Sequence, residues 1–509
     1  MSNPLDIVIL GGGTAGWMAA TALVTFMPSS RCRVRLVESD EIGIVGVGEA
    51  TLPQMKNFND ALGIDEAEMM RATKGAFKLG IEFVDWGKKG ARYIHPFGVH
   101  GPADMAHIFH HRWVKTLRAG WESDIQDYSF AVQAARMRRF DFPSKDQAAI
   151  ESTFSYAYHF DASLYSVFLR GIAEERGAIR TEGKVRDVVR DPQSGDVRSL
   201  TLESGQSITG DLFIDCSGFR SILLDKTLGV GWEDWSKWLP CDRAFAVPSE
   251  RGEFTPFTRS TAMEAGWRWR IPLQHRTGNG YVCSSSFIKD DDAAASLLRS
   301  VDAKPLAEPR MLKFQAGRRV VSWDKNCVAV GLASGFLEPL ESTSIYLIQV
   351  AILQLLPLLP AKRIDPRLRD EFNRLIDMEY ERIRDFLILH YKLNTRDDAE
   401  IWRYCAAMEV PDSLRHKIEL FRHGGIIPRY HGLFSPPSWL SVFVGQGLVP
   451  EGYSRQAEIL PTDDVIAHLA ALRASILEKV ARMSGHDDFV ARYCAQERAP
   501  AVLLEEARP

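Results

Sequence analysis

The chain is short of cysteine, and nothing in its spacing suggests how those present would pair. Cys32, Cys216, Cys241, Cys283, Cys327, Cys405 and Cys494 are scattered along 509 residues. No two form CxxC and their number is odd, which argues against a disulfide framework or a zinc site and for free thiols in a reducing compartment. An excess of positive charge is also missing: 62 basic against 66 acidic residues leave a formal charge of −4. Nucleic-acid binders usually carry a strong basic excess, so no such partner is expected, and Arg136–Arg139 reads as a solvated face. No apolar run is long enough to span a bilayer. The most apolar stretch, Ile345 to Pro360, carries Gln349, Gln354 and two prolines and reads as a buried helix. The chain reads straight into a strand, so no basic, cleavable leader is expected. The expectation is a cytoplasmic protein that does not engage membranes. Internal repeats and low-complexity segments are absent too.

What is present is ordinary in bulk. Apolar residues make up 45% and charged residues 25%, as in most globular chains. At roughly 150 residues per domain the length suggests about two to four units. Aromatics are generous, and Trp232, Trp235, Trp238, Trp267 and Trp269 crowd one part of the chain. They suit a core as well as they suit the wall of a planar substrate or cofactor.

The first pattern with chemical content is at the start. "LDIVIL" is a short β-rich run, "GGGTAG" (Gly11–Gly16) follows, then the helical "WMAATALVTFM" and a second strand ending at Glu38. Glycines there let the backbone turn tightly and approach a pyrophosphate, and the following helix start offers free N–H groups to it. Glu38 lies 22 residues beyond Gly16, where a carboxylate would hold a ribose hydroxyl. Further on, Val185 to Gly218 alternates short strands with Pro-Gln-Ser-Gly and Ser-Gly turns and reads as a β-meander ending in the buried strand "DLFIDCSG". A dinucleotide fold interrupted by such a meander is the layout of FAD monooxygenase-type flavoproteins. Only one glycine motif of this quality occurs, so a second, NAD(P)-binding unit is not evident. The fold expected is α/β: an FAD-binding Rossmann-type domain with a β-meander (1–90, 155–225 and 320–360), plus a largely helical substrate-binding domain (91–154, 226–319 and 361–509). Helices are read over Asp365 to about Tyr404 and about Asp463 to Tyr493.

Several motifs together resemble the flavin-dependent tryptophan halogenase family. They are "GGGTAGWMAA", "GIVGVGEATLP" (Gly43–Pro53), "AFKLGIEF" with Lys78, "GWRWRIP" (Gly266–Pro272), "FLEPLESTS" and "GQGLVP". The resemblance implies a reduced FAD supplied by a separate NAD(P)H-dependent reductase. Its C4a peroxide would be attacked by chloride or bromide. The hypohalous acid released would travel to the lysine and halogenate an aromatic substrate by electrophilic substitution. It further implies that Gly11, Gly13, Thr14, Ala15, Gly16 and Glu38, then Gly48, Glu49 and Ala50 of a strap across the flavin, then Gly331 and Leu337, hold the cofactor. A homodimer is compatible with it.

The residues have physical readings of their own. Lys78 could be a surface lysine paired with Glu82 one helical turn on. In the family's position its ammonium would hydrogen-bond hypohalous acid, or its neutral amine, favoured by burial, would form a haloamine. Glu338 and Glu341 flank Pro339 at a helix start, where acids are favoured by the dipole. Electrophilic substitution asks for more: a negative charge near the ring cation and an acceptor for its proton. The family's functional pair falls on Glu341 and Ser342, which leaves Glu338 a structural part at the helix entry. The family's halide site is a Thr-Gly pair; here it is Thr343-Ser344, and serine lacks glycine's freedom at positive φ. A looser site would favour bromide. His95 and Phe97 fall where the family sandwiches its indole, with Trp267, Trp269, Pro339 and Trp439 as further substrate contacts. Tyr430, Phe434 and Phe443 line such a pocket or pack a core.

One region departs from the family. The segment before "GQGLVP" lacks the Tyr-Tyr pair and the downstream glutamate that hold the amino-acid end of tryptophan. Gly424-Gly425 and Pro436-Pro437 would reshape its loop. A site without those partners discriminates poorly for a zwitterion. The reading is an FADH2-dependent halogenase of a free indole-like arene. A tryptophan halogenase proper and a flavin monooxygenase are the alternatives.

Overall fold

The computed structural model describes residues 4–42, 48–361, 363–429 and 432–495. Gly43 to Val47 of the expected strap, Tyr430, and the tail from Glu497 lie outside the described residues.

The fold is α/β. A six-stranded sheet runs in the order 323–324, 327–329, 212–215, 5–10, 32–38, 179–182. All its pairs are parallel except the first. Ile7, Val8 and Ile9 of Leu5–Leu10 are buried, as a strand covered on both faces requires. The helix Thr14–Phe26 leaves the glycine loop with buried residues on every side. The meander is present as the antiparallel strands Val185–Arg190, Val197–Leu202 and Ser207–Thr209, packed over a second, smaller core with Phe213, Leu223 and Ala329.

A seven-stranded sheet forms the other half, in the order 310–313, 243–249, 277–283, 266–272, 258–263, 80–84, 92–96. Gly80–Val84 pairs in parallel with Thr258–Met263 and antiparallel with Arg92–Pro96. The segment just after Lys78 therefore belongs to this sheet. A small sheet links the halves: Ala157–Asp161 carries Gly48–Ala50 on one edge and Ala76–Lys78 on the other. The strap strand and the lysine strand thus share one neighbour.

The C-terminal part is helical. The helix Pro366–Lys392 changes character along its length. Its first half buries only spaced residues, whereas Ile383 to Tyr391 are all buried. The apolar run "FLIL" drives this end into the centre of the molecule and takes the polar pair His390–Tyr391 with it. Pro436–Gly445, Thr462–Arg482 and His486–Ala495 complete the layer. All seven cysteines are buried and free. Among the described residues no helix is long and apolar enough to cross a membrane, and no cluster could hold a metal ion.

Candidate active site

Two sites stand out, a groove at the glycine loop and the turn that follows Phe336. The first is a groove of about 520 Å³ at the carboxyl end of the parallel sheet, lined among others by Gly11, Gly13, Glu38, Arg170, Lys184 and Arg220. Its shape is made by missing side chains. Gly11 has φ +114°, and a Cβ there would meet Cys216 O at 2.3 Å; one on Gly16 would meet Gly11 O at 1.8 Å. One on Gly12 would fall 1.4 Å from Glu38 Oε2, so that carboxylate oxygen reaches across the loop. Arg180 holds the other oxygen, at 2.6 Å. Backbone N–H groups at a helix start beside an oriented carboxylate suit a pyrophosphate and its ribose. The residues present fit a dinucleotide such as FAD. Thr14 Oγ1 lies 3.2 Å from Ser166 Oγ. A Cβ on Gly331 would lie 3.0 Å from the Ala15 Cβ and 3.3 Å from Ile348, so these glycines let three elements meet. Glu49 lies mid-strand in Gly48–Ala50, and Leu337 is buried beyond Phe336.

The second site is the turn itself. Pro339–Glu341 form one turn of 3-10 helix, Ser342 takes a left-handed conformation (φ 60°, ψ 35°), and the α-helix starts at Thr343. For serine that conformation costs on the order of 1 kcal/mol. It aims the side chain at Lys78, whose Nζ donates to Ser342 Oγ and to Thr51 O, both at 2.9 Å. The ammonium also lies 5.0 Å from the centre of the Phe97 ring. Lys78 stands at the end of a strand, wholly buried, and Glu82 is occupied by Arg259 at 2.5 Å. Of three donors on a protonated Lys78, two are used and one is free for a guest. Burial pulls the Lys78 pKa down to about 7, although nearby Glu341 works against it.

Glu341 is wholly buried between two histidines. His95 Nδ1 lies 2.9 Å from Oε2, and His390 Nε2 lies 2.8 Å from Oε1. Burial alone would raise this carboxyl; the histidines outweigh it and bring it down to about 2. His390 Nδ1 lies 2.8 Å from the carbonyl of Phe386, to which it donates. Glu341 therefore stays a carboxylate at every working pH.

Glu338 does something other than cap the helix entry, since no side-chain bond caps that turn. Its Oε2 accepts from Trp267 Nε1 at 2.9 Å and from the Tyr391 hydroxyl at 2.5 Å. Ser344 lies in the first turn of Thr343–Leu355 with ordinary helical backbone, so the positive φ of this segment belongs to Ser342. The Thr343 hydroxyl is buried without a partner. That orphaned donor, beside the N–H groups of the helix start, is a fit for a small anion.

Aromatic walls surround Glu341. Trp267 and Trp269 share one face of Gly266–Pro272, with ring centres 6.2 Å apart. Phe386 stacks on Phe434 at 3.8 Å; His95 lies 5.7 Å from the first ring and 6.3 Å from the second. Trp439 meets Phe386 edge-on at 5.0 Å and gives its N–H to Phe434 O. Phe97 packs with Leu52, Ala157, Tyr346 and Leu433, and Pro339 is half-buried at the turn. Phe443 stacks on Phe421 at 4.3 Å, a core contact. Before this wall the chain turns at Gly425, which closes a helix at φ 66° and accepts from His110 Nε2. In "GQGLVP", Gln446 donates to Tyr93 and to His390 O.

Sequence reasoning missed Thr51, Phe386, His390 and Tyr391. A polar pair closing an otherwise apolar helical run was the available signal for the last two.

The tryptophan halogenase family pattern matches residues 6–462. The chain is similar to a flavin-dependent halogenase from Brevundimonas sp. BAL3, at 45% identity and a TM-score of 0.93, covering 96% of this chain and 99% of that one. A flavin-dependent halogenase from Xanthomonas campestris gives the same identity and score over 98% and 100%. A tryptophan 6-halogenase from Streptomyces toxytricini is 36% identical over 88% of this chain and 90% of its own.

Proposed function

The chain belongs to the tryptophan halogenase family and is a flavin-dependent halogenase; on that premise we propose that it halogenates a free indole-like arene rather than tryptophan, with bromide as its better halide. The observation that carries halogenation itself is the buried Lys78–Ser342–Glu341 constellation, with Lys78 held at 2.9 Å by Ser342 Oγ and Glu341 held as an anion by two histidines. Reduced FAD, when bound, would activate O2, whose oxidising power turns halide into an electrophilic halogen; a separate NAD(P)H-dependent reductase returns the flavin to its reduced form. Gly11, Gly13 and Glu38 would hold its dinucleotide part, and Thr343 and Ser344 would offer the halide their N–H groups.

Lys78 then receives hypohalous acid on its free N–H, which makes the halogen more electrophilic and delivers the proton with which hydroxide leaves as water. The arene lies against His95, Phe97 and Phe434. A ring carbon forms its bond to halogen and the ring becomes a cation. Glu341 stabilises that cation and takes the proton from the same carbon, and the released electron pair restores aromaticity. In a dry site each charge acts with little screening.

Support for a free arene is the absence of a Tyr-Tyr pair and of a following glutamate before "GQGLVP". Support for bromide is its easier oxidation than that of chloride. Parallel assays on indole and tryptophan, with reductase, FAD and equal chloride and bromide, test both. Brominated indole is the expected main product. Equal or better turnover of tryptophan overturns the substrate proposal, and a chlorinated main product overturns the halide proposal.

A further inference from the structure

A second carboxyl in the same turn has no part in the chemistry above. Glu338 is wholly buried, and its partners are an indole N–H, a phenol O–H and the backbone and thiol of Cys241, none of them a cation. The Tyr391 hydroxyl also touches Cys241 Sγ at 3.5 Å. Burying a carboxyl among such partners is costly, and a leucine of similar volume would fill the space at less cost. Stability does not explain the residue; what it joins does. Trp267 is 71 residues away in sequence and Tyr391 is 53. Trp267 belongs to the tryptophan strand, with its ring 6.3 Å from Trp86. Tyr391 follows His390, whose Nε2 lies 2.8 Å from Glu341.

We propose that Glu338 is a positioning residue for halogen transfer: through Trp267 and Tyr391 it locks the tryptophan strand and the end of the long helix to the turn that carries Glu341. One oxygen accepting from both donors fixes two directions at once. Without it the Trp267 ring is free to rotate, and the His390–Tyr391 end of the helix loses its tie to the turn. Glu341 then stands off line from the ring proton, and a misplacement of about 1 Å can cost up to about a hundredfold in rate. Flavin oxidation, served by the glycine-loop groove, is unaffected.

The proposal rests on the halogenase reading, so wild-type enzyme runs in the same assay. If wild type forms no halide-dependent product, that reading fails and not this one. The assay couples an NADH-driven flavin reductase to bromide and indole and measures product per flavin oxidised, with thermal midpoints recorded alongside. Glu338→Leu is expected to oxidise flavin at the wild-type rate yet yield about tenfold less product per flavin. Glu338→Gln, which keeps an acceptor for both donors, is expected within about twofold of wild type. A crystal structure of Glu338→Leu is expected to show the Trp267 ring turned. Unchanged product per flavin in folded Glu338→Leu overturns the proposal, as does a Glu338→Gln equally poor. Should Glu338→Leu not fold, Trp267→Phe removes one donor and is expected to lower product per flavin about threefold; no change there overturns it.

Discussion

The two ends of the turn Glu338–Ser342 make a natural comparison. Glu338 and Glu341 are three residues apart and equally buried, and burial pushes both carboxyls up. At Glu341 the two histidines reverse the push and bring it to about 2. At Glu338 the hydrogen bonds from Tyr391 and Trp267 only soften it, and it stays at about 7. Burial therefore does not decide what an acid does; its partners decide. One helix supplies a partner to each, His390 to Glu341 and Tyr391 to Glu338. The anion faces Lys78, while the other carboxyl faces the tryptophan strand.

The largest expected effect comes from removing the cation that the anionic end serves. Lys78→Ala is expected to lower halogenated product by ~10³-fold or more while flavin oxidation continues, read as product against NADH consumed. Glu341→Gln keeps the shape of the turn and removes its charge. A loss of about a hundredfold in product formation is expected, the range of a general base. If Glu341→Gln were no worse than Glu338→Gln, the contrast between the two ends would collapse.

A pH profile sharpens the comparison without touching the turn. Lys78 sits at about 7, so the ammonium dominates below that pH and the neutral amine above it. With the ammonium as the form that holds hypohalous acid, product formation falls about tenfold per unit as pH rises beyond the midpoint. Glu341, ionised down to about 2, contributes no acid limb in the working range. Glu338 also titrates near neutrality, and Glu338→Gln tells the two apart. That variant cannot ionise there and should keep the limb if Lys78 is its source.

Much of the cofactor side was legible because backbone rules write it. Three glycines, a strand on either side and an acid at the end of the second strand dictate the loop with no knowledge of distant residues. The lysine and glutamate were legible only through the family's motifs, since each also had an ordinary reading as an exposed pair or a helix-start acid. The helix start itself was misplaced: Pro339 opens a single 3-10 turn, and the left-handed residue is Ser342, where no glycine marks it. The concern over Ser344 loses its force as a matter of positive φ, because that position is already helical. What sequence could not reveal is the register of the long helix. Whether His390 and Tyr391 or their neighbours meet the turn depends on tertiary packing.

The smallest expected effect isolates one hydrogen bond at the Glu338 end. Tyr391→Phe keeps the ring, its stacking on Trp402 at 5.9 Å and the helix, and removes only the hydroxyl that reaches Glu338. A hydrogen bond to a buried acceptor is worth about 1 kcal/mol net, close to a fivefold effect if all of it bears on positioning. Glu338 keeps the Trp267 N–H, so half of the tie survives. Product per flavin is therefore expected to fall about twofold to fivefold, with flavin oxidation unchanged and the Lys78 limb still centred near 7. A loss as large as that of Glu341→Gln would mean that Tyr391 acts on the anionic end directly, and the division of labour within the turn would have to be redrawn. A loss confined to the thermal midpoint would reduce the Glu338 end to a matter of stability.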